Sequence, residues 1–447
     1  MTNPIVYWNL LVRTHAAPAA CDDLADRMRE RRLTFGGRLL CPFLRPFFLT
    51  DADEGRVARA AETLWTLGER VAAAALKEPA VLRELCVSGE EERLARIDPG
   101  CPIASTAARA DAFLLPGSLR FAEYNAESPA GPGYAQRLAE LFDGEPLMAR
   151  FRERFDARFY TPIERLLDAL VASYRDWGGK ASPPRIAIVD WRDVPTWSEF
   201  ELLRDAFTAL GVPTVIADPR DLVYDGKALI AEGSPVDLVY RRVLINDIVA
   251  RAGDCRALVD AYAARAVAVA NTLRCKVAHK KAFFAVLTDD DYARLFDAGE
   301  LELIRQHVPW TRVVRERHVT RDGRRFDLIP YLREHRDRFV LKPNDEYGGT
   351  GVTLGWETDA RAWDDAIALA VKESDRGWVA QERIEIRREP FPRCEGDRIE
   401  ERDMLVDFAP YLFRGKVAGF LTRLSATGLA NVTSGGGQVP AFVVRSH

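Results

Sequence analysis

The N-terminal hundred residues carry apolar side chains at the spacing of an amphipathic helix. Within residues 58–76, Leu64, Leu67 and Val71 recur at intervals of three or four, which places an apolar stripe along one side of a helix. This pattern predicts a mainly helical N-terminal region over residues 1–100. No arrangement of side chains typical of catalysis stands out in it.

Two runs of alternating apolar and polar residues flank Pro116-Gly-Ser118, which predicts an antiparallel hairpin with a three-residue turn. Counting back from this turn gives four cross-strand pairs: Leu115 with Leu119, Phe113 with Phe121, Asp111 with Glu123, and Arg109 with Asn125. The last two pairs place their polar side chains on one face. A two-residue turn would instead move Asp111 to the other face.

The polar face of this hairpin suggests a metal site. Two carboxylates opposed across a hairpin repel each other unless a cation lies between them. Asp111 and Glu123, with the amide oxygen of Asn125, supply only oxygen ligands, which select a hard ion such as Mg²⁺. Arg109 at the same end can clamp a phosphoryl oxygen or a carboxylate. The alternative is a solvated face with unrelated charges.

Residues 185–270 alternate between short apolar runs and a helical pattern, after a Gly/Pro-rich linker. The predicted elements are strands at 185–190, 213–217 and 236–244 and a helix at 197–210. Strand, helix and strand at these lengths predict an open, parallel-type α/β lobe. Arg241 and Arg242 leave the end of the last strand, where surface pairing and contact with a substrate are both open.

A strand, a glycine-rich turn and a second strand follow one another over residues 338–354. Gly348, Gly349 and Gly351 allow backbone angles that side chains forbid, so main-chain amides can approach an anion closely. Lys342 beside such a loop suits a triphosphate. The segment is not the Gly-x4-Gly-Lys-Ser/Thr phosphate loop, and an ordinary hairpin with a glycine turn is the alternative.

Three further segments extend this pattern. A helix predicted over residues 276–287 presents Lys280 and Lys281 near its start, where solvated lysines are the usual alternative. A strand predicted over residues 377–384 ends in polar groups, and its backbone edges suit recognition of adenine. A second turn, rich in backbone amides, is predicted over residues 431–437. A mobile surface loop is the alternative for this segment.

Composition excludes several classes of protein. The chain has 447 residues, enough for two or three lobes. Its net charge of −4 gives no signature of nucleic-acid binding. No apolar run approaches the roughly 20 residues of a membrane span, and the N-terminus lacks the pattern of a secretory signal. We therefore expect a cytoplasmic protein without nucleic-acid or membrane partners, of unknown oligomeric state.

The seven cysteines are scattered, odd in number and never spaced as Cys-x2-Cys. This predicts reduced thiols and argues against structural zinc.

Taken in order, these segments resemble the circularly permuted ATP-grasp ligases, the group that includes the glutathionylspermidine synthase-like proteins. The motifs that carry the resemblance, within residues 100–445, are Arg109-x-Asp111, Glu123-x-Asn125, Ala278-His-Lys-Lys-Ala282, Leu341-Lys-Pro…Tyr347-Gly-Gly-x-Gly351, Gln381-Glu382, Thr422-Arg423 and Asn431-x2-Ser-Gly-Gly436. The permutation shows in their order, because the metal-type carboxylates precede the nucleotide-type lysines.

The resemblance and the element pattern together imply an α/β fold with α+β lobes. This would be a circularly permuted ATP-grasp core with a Rossmann-like, pre-ATP-grasp lobe and a mainly helical N-terminal region. The expected division is a helical region at 1–100, metal- and phosphate-binding strands at 101–177, the open α/β lobe at 185–270, and the nucleotide-binding lobe with the C-terminal core strands at 271–447.

The resemblance also implies roles for particular residues. Mg²⁺ would be held by Asp111, Glu123 and Asn125. ATP would be bound by Lys281, Lys342, Tyr347, Gly348, Gly349, Thr350, Gly351, Gln381 and Glu382. The catalytic residues would be Arg109, which stabilises the transferring phosphoryl group, and Arg423, which contacts a phosphate or the acyl phosphate. The family has Asn-Lys where this chain has Lys280-Lys281, so which of these lysines reaches ATP stays open.

The chemistry implied is phosphorylation of a carboxylate by ATP, followed by attack of an amine to give an amide, ADP and phosphate. The substrates would be small molecules or peptides. Such a site needs charge neutralisation and alignment rather than a nucleophilic side chain, in agreement with the lack of a Ser/His/Asp or Cys/His arrangement in the sequence. Phosphotransfer to an acceptor without an amine step, and nucleotide binding without catalysis, are the alternatives.

Overall fold

Helices and strands alternate along the described chain. The structure is a computed structural model that describes residues 3–16, 19–321, 323–396, 398–426 and 436–446. Its α-helices are α1 (Pro4–His15), α2 (Ala19–Glu30), α3 (Asp51–Ala75), α4 (Pro79–Glu84), α5 (Gly89–Arg96), α6 (Pro132–Asp143), α7 (Pro146–Phe151), α8 (Pro162–Asp176), α9 (Trp197–Ala209), α10 (Ile245–Ala250), α11 (Arg256–Ala263), α12 (Lys276–His279), α13 (Phe283–Thr288), α14 (Ala298–His307), α15 (Leu328–Glu334) and α16 (Ala360–Lys372).

The strands are distributed over the same length, which confirms the predicted α/β class. They are β1 (Thr34–Phe35), β2 (Arg38–Leu39), β3 (Phe47–Thr50), β4 (Ala107–Leu115), β5 (Ser118–Asn125), β6 (Phe155–Arg158), β7 (Ile186–Val189), β8 (Thr214–Ala217), β9 (Val223–Tyr224), β10 (Leu229–Ala231), β11 (Ser234–Val236), β12 (Leu238–Arg241), β13 (Ala268–Ala270), β14 (Thr311–Val313), β15 (His318–Arg321), β16 (Arg324–Asp327), β17 (Phe339–Pro343), β18 (Thr353–Leu354), β19 (Trp378–Glu382), β20 (Arg388–Glu395), β21 (Arg398–Phe413), β22 (Lys416–Ser425), β23 (Gly437–Val439) and β24 (Ala441–Ser446).

A six-stranded antiparallel sheet, the core sheet, carries the polar hairpin. Its strands run in the order β23-β22-β21-β4-β5, and β20 pairs with the first half of β21. The turn between β21 and β22 is formed by Arg414 and Gly415, whose φ angles of 47° and 78° suit a tight hairpin. α3 packs closely on the sheet at Gly68, where a Cβ would lie 2.9 Å from the ring of Tyr124.

The hairpin of β4 and β5 turns more tightly than predicted. Two residues, Pro116 and Gly117, separate the closing pair Leu115 and Ser118, and Gly117 has the positive φ (77°) that such a turn favours. The two predicted pairs next to the turn are therefore wrong, namely Leu115 with Leu119 and Phe113 with Phe121. Phe121 is instead fully buried in the core, and burial of this large ring favours the shifted register.

A β-bulge restores the predicted register at the polar end of the hairpin. Ala122 is skipped in the pairing, and beyond it Asp111 pairs with Glu123 and Arg109 with Asn125. These two predicted pairs are confirmed. Without the bulge, a two-residue turn would place Asp111 and Glu123 on opposite faces, because successive strand residues alternate between faces.

A four-stranded parallel sheet forms the centre of residues 185–270. Its order is β13-β12-β7-β8, and all neighbouring strands run parallel, which confirms the predicted parallel arrangement of these strands. Ile186 and Ile188 contribute to one hydrophobic cluster, whereas Ala187 and Val189 contribute to another. Both faces of this sheet are thus buried, as is usual for parallel sheets.

The glycine-rich segment belongs to a smaller antiparallel sheet of order β14-β19-β17-β18. Val340 pairs with Leu354 and Leu341 with Thr353, which confirms the predicted strand, glycine turn and second strand. α16 covers this sheet through the buried Trp363.

The N-terminal region is mainly helical, and one of its strands joins the C-terminal end of the chain. β3 pairs in parallel with β24, which brings Phe47 opposite Ala441, and β24 also pairs with β6. The first three residues of β3 are buried, so this strand packs into the core. Within the described ranges, no helix has the length and apolar character needed to cross a membrane.

Two of the cysteines form a disulfide, so the prediction of reduced thiols throughout is wrong. Cys21 on α2 and Cys394 on β20 are joined, and their Cα atoms lie 5.8 Å apart. The two residues are 373 positions apart in the sequence, so no local spacing could indicate the pair. The free thiols are Cys41, Cys86, Cys101, Cys255 and Cys275.

Candidate active site

One cavity collects the polar face of the hairpin and the glycine-rich segment. This ribbon cavity has a volume of about 220 Å³. The predicted site residues that line it are Arg109, Asp111, Glu123, Asn125, Lys281, Lys342, Tyr347, Gly348, Gly349, Thr350, Gln381, Glu382 and Arg423. Gly351 is the predicted residue outside this lining, and it packs so closely on Pro343 that a Cβ would lie 2.7 Å from the Pro343 ring.

Two arginines converge on the carboxylate of Asp111. Arg109 donates through Nε and Nη2 to Oδ1 and Oδ2 of Asp111, at 2.7 and 3.1 Å. Arg423 donates through Nη2 to Asp111 Oδ2 at 2.6 Å and through Nε to Asp407 Oδ2 at 2.7 Å. Side chains from β4, β21 and β22 thus form one network of ion pairs on a single face of the core sheet.

Burial and the arginines act in opposite directions on these two carboxylates. Burial raises the pKa of Asp111, but the charges of Arg109 and Arg423 outweigh it and hold this pKa well below its usual range. Burial raises the pKa of Asp407 to about 6, although Arg423 lowers it. Asp111 therefore stays ionised, whereas Asp407 can exchange a proton near neutral pH.

Asp407 is a site residue that the sequence patterns did not single out. It lies opposite Arg423 in the β21–β22 pair, and only 2% of it is exposed. The sequence did contain a signal for its role, since Asp407 is a lone carboxylate between Val406 and Phe408 in an apolar strand. A buried acid in such a strand needs a partner. Asp407 Oδ1 has no hydrogen-bond partner among the described residues.

Glu123 and Asn125 connect the hairpin to Lys281. Glu123 Oε2 lies 3.7 Å from Lys281 Nζ. With its amide oriented to satisfy both ends, Asn125 donates to Glu123 Oε1 at 2.9 Å and accepts from Arg109 Nη2 at 3.3 Å. Lys281 Nζ also donates to the backbone carbonyl of Glu346 at 2.5 Å, so it links the hairpin to the start of the glycine-rich loop.

Lys342 lies at the meeting point of the two sheets. Its Nζ donates to Gln381 Oε1 at 2.7 Å and to the backbone carbonyl of Ala122 at 3.2 Å. Ala122 is the bulged residue, so the bulge both sets the register of the hairpin and provides a hydrogen-bond acceptor for Lys342. Burial lowers the pKa of Lys342 to about 8, with Glu123 raising it and Lys281 lowering it further.

The helix predicted over residues 276–287 is interrupted between α12 and α13. In the break, the backbone N–H groups of Lys281 and Ala282 donate to the main-chain and side-chain carbonyl oxygens of Asn344, at 2.9 and 2.8 Å. These bonds replace those of a continuous helix. The break turns the consecutive side chains of Lys280 and Lys281 in different directions.

Lys280 is directed away from the ribbon cavity into a buried charge cluster. Its Nζ lies 2.8 Å from Glu91 Oε2 and 2.6 Å from Asp345 Oδ2. Lys276 pairs with the same carboxylate of Asp345 at 2.7 Å. The cluster anchors the start of the glycine-rich loop, and of the two consecutive lysines it is Lys281 that lines the cavity.

The glycine-rich loop beyond Asp345 is open to solvent. Tyr347 is 69% exposed, and Gly348 and Gly349 have φ angles of 65° and 80°, which side chains disfavour. The second predicted turn spans residues 431–437. Its first five residues, 431–435, lie outside the described residues.

Part of the ribbon cavity is apolar. Its apolar lining includes Phe113, Val340, Leu354, Trp356, Ile384 and Ile386. Gln381 and Glu382 lie beside them, and Glu382 Oε1 accepts hydrogen bonds from Arg321 Nη2 at 2.7 Å and Arg338 Nη2 at 3.5 Å. Apolar walls with a few polar edges suit the flat ring of a ligand.

The oxygen donors of this site fit a hard cation. Asp111 stays ionised, Glu123 and Asn125 stand beside it, and the buried Asp407 Oδ1 still needs a partner. The described ranges contain no group of three or more His, Cys, Asp or Glu side chains placed to hold a metal by themselves. A cation here would therefore need oxygens from a ligand as well, which is how Mg²⁺ is usually bound beside phosphates.

Sequence comparison places this arrangement among known proteins. The model of a family described as circularly permuted ATP-grasp type 2 matches residues 116–429. A Frankia casuarinae (strain DSM 45818) protein that carries the provisional name glutamate–cysteine ligase 2-2 is 24% identical over 342 residues. That match covers 72% of this chain but only 36% of the relative, so the chain spans little more than a third of the relative's length.

One solved structure shares the fold at low identity, and a second is a weaker match. A glutathione synthetase-like effector (GSS30) from Globodera pallida, in its apo form, superimposes with a TM-score of 0.61 at 13% identity, over 99% of this chain and 98% of that one. A Methylobacillus flagellatus KT protein provisionally described as gamma-glutamylcysteine synthetase gives a TM-score of 0.42 at 12% identity, over 82% and 83%. Because the family model spans most of the chain, from the turn of the polar hairpin to beyond Arg423, the chain belongs to the circularly permuted ATP-grasp type 2 family.

Proposed function

We propose that this chain is an ATP-dependent ligase that joins a carboxylate to an amine through an acyl phosphate, with small molecules or peptides as substrates. The observation that carries the proposal is the composition of the ribbon cavity. Its oxygen donors (Asp111 and Glu123), its two lysines (Lys281 and Lys342) and the glycine-rich loop line one space of about 220 Å³. Family membership supports ATP as the phosphoryl donor.

The residues of the cavity suit the two ends of a nucleotide. The apolar lining beside Gln381 would receive the base, and Lys281 and Lys342 would meet the phosphates. Lys342 is held in place by Gln381 and by the Ala122 carbonyl. A lysine oriented before the ligand arrives loses less side-chain freedom on binding.

Asp111, Glu123 and Asn125 would hold Mg²⁺, with phosphate oxygens completing its shell. When bound, the ion would neutralise phosphate charge and favour transfer of the phosphoryl group. Asp111 has the ionised carboxylate for this role. This carboxylate is paired with Arg109 and Arg423, so the two arginines and the ion would share it.

Arg109 and Arg423 would stabilise the charge of the phosphoryl group and of the acyl phosphate. Asp111 and Asp407 hold the two guanidinium groups on one face of the sheet, so their donors need little rearrangement when negative charge develops. In the reaction, the γ-phosphoryl group moves from ATP to the carboxylate oxygen and ADP leaves. The amine nitrogen then bonds to the acyl carbon, loses a proton, and phosphate leaves.

In the lining of the ribbon cavity, the carboxylates of Asp111, Glu123 and Asp407 are paired with cations, which favours transfer without a covalent enzyme intermediate. Among the described residues that line it, none is Ser, Cys or His. Catalysis in this site would rest on alignment and charge, which suits direct transfer between bound substrates.

The decisive experiment measures phosphate release from ATP and Mg²⁺ over pools of amino acids, small thiol peptides and polyamines, with mass spectrometry of the products. We expect a pool in which phosphate release and a dehydrated conjugate of two components appear together. Lys342→Met should abolish both, whereas Lys372→Met, which removes an exposed lysine at the end of α16, should leave both unchanged.

Two outcomes would redirect the proposal. A stable phosphorylated product with no amide from any amine would identify a phosphotransferase. ATP binding without product, and insensitive to Asp111→Asn, would indicate a nucleotide-binding protein without this catalysis.

A further inference from the structure

A second cavity opens beside the ribbon cavity, toward the α/β lobe of residues 185–270. This lobe cavity has a volume of about 400 Å³. The two cavities share part of their lining, including Arg109, Arg423 and Tyr347. A molecule in the lobe cavity would therefore lie next to the arginines proposed to contact the phosphoryl group.

Arg242 presents a buried positive charge to the lobe cavity. It follows β12, lines the cavity and is 4% exposed. Its Nη1 donates to the carbonyl of Pro129 at 2.7 Å and to Tyr240 Oη at 3.2 Å. Its Nε has no partner among the described residues, and the same part of the chain offers it no ion pair with a carboxylate. Glu199 and Asp190 attract this charge from a distance, but no carboxylate of the described residues pairs with the guanidinium directly, so it can take an anionic ligand as a direct partner.

Asp190 and Asp247 present negative charge to the same cavity. Asp190 Oδ1 accepts from the backbone N–H of Trp191 at 2.8 Å, and Asp247 Oδ2 accepts from the indole of Trp191 at 3.2 Å. Neither carboxylate forms an ion pair within the described ranges. Burial raises the pKa of Asp190 to about 6, with Arg242 lowering it and Asp247 raising it. Two carboxylates in this setting favour a cationic ligand.

Arg242 also lies close to the proposed phosphoryl site. Arg242 Nη1 donates to the carbonyl of Pro129, and Arg109 Nη1 donates to the next carbonyl, that of Ala130, at 3.1 Å. The two guanidinium groups are thus held by consecutive peptide units. A carboxylate bound by Arg242 would stand beside Arg109.

We propose that the lobe cavity binds an α-amino acid, whose carboxylate is held by Arg242 and whose ammonium group is held by Asp190 and Asp247. This inference deepens the proposed function and rests on it for the role of the bound carboxylate as the group that is phosphorylated. The binding itself depends only on the charges of the lobe cavity. One positive and two negative side chains, all without ion-pair partners in the described chain, match the zwitterion.

Isothermal titration calorimetry with individual L-amino acids, each also as its carboxamide and its N-acetyl derivative, tests the inference without turnover. We expect at least one amino acid to bind, and both of its derivatives to bind about 10- to 100-fold more weakly. Arg242→Met should remove the preference for the acid over the carboxamide. Asp190→Asn should remove the preference for the free amine over the N-acetyl form.

Each preference is a ratio of dissociation constants measured within one variant, so partial loss of folded protein does not change it. A variant that still binds one of the two ligands is folded, and Asp190→Asn is close to isosteric. Arg192→Met is the matched control, since Arg192 is paired with Asp221 at the surface and does not line the cavity. It should keep both preferences. If no amino acid binds at millimolar concentration, or if Arg242→Met keeps the preference for the acid, the inference is overturned.

The outcomes also separate this inference from the proposed function. Amino-acid binding that depends on Arg242 and Asp190, without an ATP-dependent conjugate from any pool, would establish the lobe cavity as an amino-acid site. The same result would remove the ligase proposal. Conversely, an ATP-dependent conjugate whose formation is unchanged in Arg242→Met would keep the ligase and remove the amino-acid site.

Discussion

Asp407 lies directly opposite Arg423 across the β21–β22 pair, and Arg423 bridges it to Asp111. One guanidinium therefore serves two carboxylates that differ in their environment. Asp111 has Arg109 as a second partner and stays ionised, whereas burial raises the pKa of Asp407 to about 6. The protonation of Asp407 thus decides how much negative charge surrounds Arg423.

The first prediction concerns how Asp407 makes stability depend on pH. Its pKa is about 6 in the folded protein and 3.8 ordinarily, so between these values the folded state binds more protons than the unfolded state. The contribution of Asp407 to the free energy of unfolding is therefore largest below about pH 4 and falls as pH rises through about 6.

Asp407→Asn should remove this dependence. We expect the stability of the wild type relative to Asp407→Asn to fall by roughly 1–3 kcal/mol between about pH 4 and about pH 7. Denaturant unfolding of both proteins across this range measures the difference. A difference that does not change with pH would contradict the prediction.

A second prediction follows from the lowered pKa of Lys342, which is about 8. Below this pH the side chain is charged and can pair with phosphate, and above it the charge is lost. We expect the affinity for Mg·ADP, measured by calorimetry, to weaken about tenfold between about pH 7 and about pH 9. Lys342→Arg keeps its charge throughout and should bind equally at both values. An equal loss in the arginine variant would assign the pH dependence to another group.

A third prediction separates the two consecutive lysines. Lys281 lines the ribbon cavity, so Lys281→Met should weaken Mg·ADP binding about tenfold or more with little change in stability. Lys280 is buried between Glu91 and Asp345, so Lys280→Met should lower the free energy of unfolding by roughly 2–4 kcal/mol. Each variant is the control for the other in calorimetry and denaturant unfolding. The reverse pattern would mean that Lys280 is the ligand.

The polar end of the hairpin was predictable because its chemistry is local. Asp111, Glu123 and their neighbours are close in sequence, and alternation along two strands shows which of them share a face. The turn was not predictable, since a two-residue turn with a bulge and a three-residue turn give the same polar pairs. The burial of Phe121 and the contact of the Ala122 carbonyl with Lys342 distinguish them.

Features set by distant contacts left little trace in the sequence. Asp407 becomes part of the site only when β21 pairs with β22 and β4. The separation of Lys280 from Lys281 depends on Asn344, more than 60 residues away, which breaks the helix between them. The charges of Arg242 and Asp190 meet in one cavity because parallel strands end at the same edge of their sheet.

The last prediction concerns the disulfide between Cys21 and Cys394, which ties α2 to the core sheet. It closes a loop of 373 residues, so its loss frees the unfolded chain and should lower the free energy of unfolding by roughly 2–4 kcal/mol. Denaturant unfolding of the double variant Cys21→Ser/Cys394→Ser measures this loss. Reductant should destabilise the wild type by the same amount and leave the double variant unchanged. Cys101→Ser, which removes a free thiol, is the control and should keep the response to reductant, because that response arises from the Cys21–Cys394 bond. Equal stability of the wild type with and without reductant would show that this bond does not stabilise the fold.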